Sequence, residues 1–288
     1  MLRTSRILIL ICLLLTLAAH ADAQGVIEFA DRPEGSDKKP YAWLPFGFYS
    51  QTFDLAAGVG AASLGVGQPQ LGLAGAVFAS SNSSYGFLGS VTRLQLRPVN
   101  RLFLDAKIAY LGYSNLQSYV PGNPDFTDER AGSNDSTFEN FIQTPGRDGF
   151  AYLDFQYLLP IGGARDNPIA TFVLEDGLLK SGATGGWSWN PAKSGRTYVG
   201  LEVFFRDQVI EDEIGDRQFN TNGLSLTLQH DNTDFRLNPS RGSQKNFQIR
   251  RDFGGLDSSG QWTTVEFEWA KYINLGAGKH TSQRVLAL

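Results

Sequence analysis

The chain has 288 residues, 42% of them hydrophobic, with 32 glycines, 12% aromatics, a single methionine and a mean hydropathy of −0.20. A formal net charge of −4 without a basic patch gives no reason to expect nucleic-acid binding. The length would suit one or two soluble domains, yet abundant glycine and aromatics beside negative hydropathy fit a barrel wall in which apolar and polar residues alternate.

At the N-terminus, Arg3 and Arg6 precede an apolar run from Ile7 to Ala19, and Ala21-Asp22-Ala23 offers a small-x-small cleavage site before Gln24. This is the pattern of a secretory signal peptide, predicted over residues 1–23; its thirteen-residue run falls short of the roughly 20 that a spanning helix needs. Losing Arg3, Arg6 and Asp22 takes the net charge from −4 to −5. Cys12 leaves with the signal, so neither a disulfide nor a lipid on an N-terminal cysteine is expected in the mature chain. Residues 24–41 form a short N-terminal segment expected in the periplasm, and 42–288 a single β-domain.

No later run of 18 or more apolar residues occurs, and strand follows strand. Alternation predicts eleven, near 45–51, 53–66, 70–81, 85–98, 101–114, 148–160, 196–208, 219–231, 243–254, 261–273 and 282–288. In 197–206, Val199, Leu201, Val203 and Phe205 alternate with Tyr198, Gly200, Glu202, Phe204 and Arg206. The same phase recurs in Leu102, Leu104, Ala106 and Ile108 against Asp105 and Lys107, and in Leu153, Phe155 and Tyr157 against Asp154 and Gln156. Leu224, Leu226 and Leu228 alternate with Ser225, Thr227 and Gln229, and Val265, Phe267 and Trp269 with Glu266 and Glu268. A soluble sandwich also alternates, but these segments run about ten residues where soluble strands have a mode of about 5–6. The expected fold is therefore all-β, an antiparallel transmembrane barrel of outer-membrane type. Its aliphatic face meets lipid; Asp105, Lys107, Asp154, Glu202, Arg206, Arg250, Glu266 and Glu268 line a polar lumen; Trp43, Tyr110, Tyr113, Trp262 and Tyr272 sit in interfacial girdles.

If the first strand rises from the periplasm, the polar stretch 115–147 is an external loop, which suits barrels with short periplasmic turns. Residues 161–195 fall on the periplasmic side but are too long for a turn; 169–179 is expected to add a strand, with Gly186 to Trp189 as its partner. The connection of the eighth and ninth strands is the most informative. Asp231, Asp234 and Asn238 can each return a short side chain to neighbouring N–H groups, Pro239 presets φ and removes a donor, and Gly242 relieves steric limits where the next strand begins.

That turn, with Gly223 to Gln229 before it and Ser243 to Gly254 after it, resembles a periplasmic turn of the BamA/TamA-type outer-membrane assembly barrels, the bacterial surface antigen family. Residues 46–52 followed by 54–60 also resemble that family's opening hairpin. The resemblance covers roughly residues 40–288 in pattern and is specific over 196–254. It implies the outer membrane of a Gram-negative cell, sixteen strands in full-length members, and contact with outer-membrane lipids, lipopolysaccharide and the cell's barrel-assembly machinery during insertion.

Two departures shape the expected function. Between the signal and the first strand there is no room for POTRA domains, and no Arg-Gly-Phe motif occurs, so a C-terminally incomplete member without insertase activity is expected. Eleven strands would leave two open edges, since antiparallel barrels close most readily with even numbers.

No catalytic constellation is evident, and no cofactor is expected. His230 and His280 are assigned to different turns without metal-ligand spacing, and Gly58-Val59-Gly60 and Gly65-Val66-Gly67 fit strand glycines better than a phosphate loop. Glu211, Asp212, Glu213 and Asp216 cluster in one outer loop that offers ligands to calcium or to cations bridging lipopolysaccharide, but their spacing matches no defined calcium loop and a solvated acidic loop is the favoured reading. A pore or enzyme of another barrel family and a secreted soluble β-protein remain alternatives, and no client protein is indicated.

Overall fold

A period of two sustained over ten residues commits each segment to an extended strand, because only there do alternate side chains share a face. The computed structural model describes residues 25–29, 41–121, 123–211, 216–279 and 281–288; the signal region, most of 24–41, His280, Asp212 and Glu213 lie outside them. The strands are β1 (Gly25–Phe29), β2 (Tyr41–Ser50), β3 (Asp54–Leu64), β4 (Gly72–Ser80), β5 (Tyr85–Gln95), β6 (Leu102–Ser118) and β7 (Ile142–Leu158). They continue with β8 (Ala170–Glu175), β9 (Leu178–Ser181), β10 (Arg196–Ile210), β11 (Arg217–Asp231), β12 (Gly242–Phe253), β13 (Gln261–Asn274) and β14 (Val285–Ala287). None of the described residues is in an α-helix.

Eleven of these strands form one antiparallel sheet in the order β2-β3-β4-β5-β6-β7-β10-β11-β12-β13-β14, an up-and-down path that steps to the adjacent position each time. The eleven expected segments match these strands in order. The largest shift is at β6 and β7, which run 17 residues each and reduce the expected 115–147 loop to 119–141. Pairing resumes beyond an irregularity between Tyr113 and Leu116, with Leu116 opposite Thr144 and Ser118 opposite Ile142. Hydrophobic periodicity could not reveal this extension, because a hairpin wet on both faces needs no apolar face. Edges β2 and β14 do not pair with each other among the described residues, so the sheet is open there.

Register sorts the faces. Thr264, Arg250, Ser225, Glu202, Asp154 and Asp105 lie in one row across β13, β12, β11, β10, β7 and β6. A row on the opposite face reads Val265, Ile249, Leu226, Leu201, Phe155 and Leu104. Burial is inverted relative to a soluble sheet: Ser225 is 0% exposed and Asp252 0%, whereas Leu226 is 59%, Val265 65% and Phe267 67% exposed. Side chains of six strands, β5 to β7 and β10 to β12, line a single cavity on the polar face, so that face is concave.

Toward β2 the concave face becomes aromatic. Phe78 packs edge-on against Phe48 and Phe53 at 5.4 and 5.1 Å, and Phe53 meets Tyr113 at 5.4 Å. Gly58 and Gly86 make the space: a Cβ on either would come within 2.7 Å of Phe78. Of the aromatics expected in girdles, Trp43 is exposed and Tyr110 neighbours the outward Phe87. Tyr113 and Trp262 instead turn to the concave face, where Trp262 stacks on Phe204 at 5.6 Å.

The 159–195 connection is built differently from the expectation. β8 pairs with β9 and, in parallel, with β1, making a separate three-stranded sheet; Gly186 to Trp189 is not a strand. Asp176 and Gly177, with φ of 49° and 77°, make the β8–β9 turn. Gly58 and Gly60 are strand glycines as expected, but Gly65 and Gly67 belong to the following turn at φ of 79° and 78°. His230 likewise lies within β11 rather than in a turn, its Nδ1 3.0 Å from the hydroxyl of the opposed Thr197.

Candidate functional site

Among the described residues, polar side chains gather on the concave face and in the 231–242 turn. On the concave face Asp105, Asp154 and Glu202 are direct cross-strand neighbours, an arrangement that repels. Cations stand at both ends. Arg250 Nη2 donates to Glu202 Oε1 at 2.8 Å, with its guanidinium 5.3 Å from the Phe204 ring centroid. At the other end Arg93 Nη1 donates to Gln156 Oε1 at 2.6 Å, and its Nε lies 3.8 Å from Asp105 Oδ2. Gln156 in turn donates to Asp154. Lys107, Thr227 and Gln248 join Asp105, Asp154, Gln156, Glu202 and Arg250 around a cavity of about 440 Å³.

Arg93 was not among the expected lumen residues. Strict alternation from Val91 would send it outward among aliphatics, but a bulge sets Thr92 and Arg93 against Asp105 alone. Arg93 adopts φ of 60°, its N–H donates to Asp105 Oδ1 at 2.6 Å, and its side chain is 1% exposed. An arginine on the aliphatic phase was the available signal. Nearer the loop end, Arg206 grips Asp148 through two hydrogen bonds of 3.0 and 2.6 Å.

In the turn, Asp231, Asp234 and Gly242 act as the sequence suggests. Asp231 Oδ1 accepts from the Thr233 N–H and hydroxyl at 2.9 and 2.6 Å. Asp234 Oδ1 accepts from the N–H groups of Phe235, Ser240 and Arg241 at 3.0, 2.9 and 3.3 Å, while Oδ2 accepts from the Ser240 hydroxyl. Gly242 has φ of 108°. Asn238 differs: it is exposed and its side chain makes no hydrogen bond to the described residues, and Pro239 is half-buried at the tip.

The residue that ties the turn to the rest is Asn232. Its Oδ1 accepts from Ser194 Oγ at 2.6 Å and Gly186 N–H at 3.2 Å, and its Nδ2 donates to the Ser188 carbonyl at 2.7 Å. Thr184 N–H donates to the Asp234 carbonyl at 3.1 Å. Phe235 packs on Phe172 at 4.9 Å and completes a small core with Leu174. The long 159–195 connection is thus a cap on the turn, and a second cluster of Phe103, Leu158, Ala164 and Tyr198 joins it to the sheet. Arg101 pins it further by donating to the carbonyls of Ala164 and Arg165 at 2.8 and 2.7 Å.

Chemically, the concave face offers a balanced set of carboxylates, guanidinium groups and amides suited to water and polar guests. A scan against protein-family models finds no match, and a search of curated proteins finds no relative.

Proposed function

We propose that this chain is a noncatalytic integral outer-membrane protein whose sheet belongs to a β-barrel, with aliphatic side chains toward lipid and the charged row toward a polar lumen. The inverted burial carries this reading. Rows of exposed Leu, Val and Phe on one face, opposite a concave face holding buried Arg93, Asp252 and Ser225, would be costly in water and are what a lipid environment demands. The likeness of residues 196–254 to the surface antigen barrels, and the signal pattern of residues 1–23, favour the outer membrane and a relation to BamA/TamA-type assembly barrels. No activity in protein insertion is proposed. Outer-membrane lipids and lipopolysaccharide are the proposed surroundings.

The test is fractionation with labelling. The full chain should be recovered in the outer-membrane fraction. A cysteine placed at Ser133 should react with a membrane-impermeant thiol reagent on intact cells, whereas one at Asn238 should not. Recovery as a soluble periplasmic monomer would remove the membrane reading; reversed labelling would invert its topology.

A further inference from the structure

At the end of the sheet that carries the capped turn, residues 186–189 of the cap and the ends of β12 and β13 enclose a groove of about 400 Å³. Trp187, Trp189, Arg241, Lys271 and Tyr272 are among its walls, and among the described residues no carboxylate lines it. Trp189 is 87% exposed, an unusual position for the largest apolar side chain. The ring of Trp187 is held at the rim by its Nε1–H, which donates to the Lys193 carbonyl at 3.2 Å. Arg241 lies along Gly186, where a Cβ would come within 2.9 Å of Arg241 Cγ, so the missing side chain lets the arginine lie flat.

The outward phase of the neighbouring strands leads into this groove. On β13 it reads Val265, Phe267, Trp269, Lys271; on β12 it reads Ile249, Phe247, Lys245, with Lys245 directly opposite Trp269. Aliphatic residues therefore give way to tryptophan and then to cations. Neither Arg241, Lys245 nor Lys271 has an ion-pair partner among the described residues.

We propose that this groove is a headgroup site for an anionic phospholipid. Resting on the membrane reading above, it places the tryptophan rings in the interfacial layer, with Arg241, Lys271 and Lys245 extended to the phosphate. The cations, which no lining carboxylate offsets among the described residues, select the lipid. A zwitterionic headgroup would set its ammonium against the aromatic walls but leave the charge of Arg241 and Lys271 in the groove, and of Lys245 beside it, without compensation, whereas an anionic headgroup neutralises it.

Brominated lipids, which quench nearby tryptophans, provide the measurement. The full chain is inserted into phosphatidylcholine vesicles in which either the phosphatidylcholine or an equal mole fraction of phosphatidylglycerol is brominated. The share of quenching that Trp187 and Trp189 contribute, taken as the difference from Trp187→Phe/Trp189→Phe because Trp43 and Trp269 meet either lipid, should be about fivefold greater for the anionic lipid than for phosphatidylcholine, the selectivity that one surface cation supplies, or more. The excess should fall toward parity in Arg241→Gln/Lys271→Gln and fall partly in Lys245→Gln, whose exposed side chain makes none of the cap's hydrogen bonds. An equal share for both lipids in the unmodified chain, or an excess untouched by all the charge substitutions, would overturn the site while leaving the protein in the membrane. Absence of quenching by either lipid would instead overturn the membrane reading and this site with it.

Discussion

At Gly242 the backbone turns into β12 with φ of 108°, and a Cβ there would lie 2.0 Å from the Asn232 carbonyl oxygen. Both facts bar a side chain, one through torsional strain and one through contact with backbone that the Asn232–Ser243 hydrogen bonds hold in place. Gly242→Val should therefore destabilise the protein by on the order of 3 kcal/mol. Glu266→Gln, on an exposed stretch of β13, should stay within about 0.5 kcal/mol of the original chain. Urea titration of the detergent-folded protein compares them, and equal midpoints would remove the steric constraint from the turn. Asp231, Asp234 and Gly242 were legible because short acceptors and glycine act through local backbone geometry. Asn232 was not, although it makes the longer reach: its partners Ser194, Gly186 and Ser188 are 38 to 46 residues away in sequence, and no local pattern announces such contacts.

Among the elements, strands were read well wherever one face is apolar and poorly where neither face has to be. β10 to β13 keep strict alternation and fall within two residues of expectation, whereas the ends of β6 and β7 continue through polar sequence. Residues 161–195 show a different limit. Ala170 to Glu175 could be recognised as strand-like, but its partners, β1 in parallel and β9 across a two-residue turn, follow from tertiary placement rather than from period. Beside the hydrogen bonds of Asn232, the apolar hold of this cap on the turn is Phe235, 2% exposed and packed on Phe172 and Leu174. Phe235→Ala should cost about 3–5 kcal/mol, concentrated in the cap because the main sheet has its own hydrogen-bond ladder. Hydrogen exchange should quicken for β8 amides while the β10–β11 ladder keeps its protection. Unchanged exchange in β8 would mean that the polar bonds of Asn232 suffice to hold the cap.

For the whole molecule, the same register that fixes the ladder also divides the chain's charge from its aliphatic surface, so the two faces can be tested by neighbouring residues on one strand. Leu226 sits between Leu201 and Ile249 on the exposed aliphatic face, and Thr227 sits between Gly200 and Gln248 on the concave one. Their backbones share β11 and its hydrogen bonds, so identical substitutions differ chiefly in what surrounds the new side chain. Leu226→Arg should weaken folding into lipid vesicles by about 2–4 kcal/mol if it lies near the bilayer midplane. Thr227→Arg enters a cavity that already holds Glu202, Asp154 and Gln248, and should cost much less. Folding yield and urea midpoint in vesicles measure both. A Leu226→Arg chain that inserts as well as Thr227→Arg would place the aliphatic face in water or against protein instead of lipid. The assignment of the concave row to a lumen would then fall as well, because a lumen requires that the opposite face of the same sheet meet lipid.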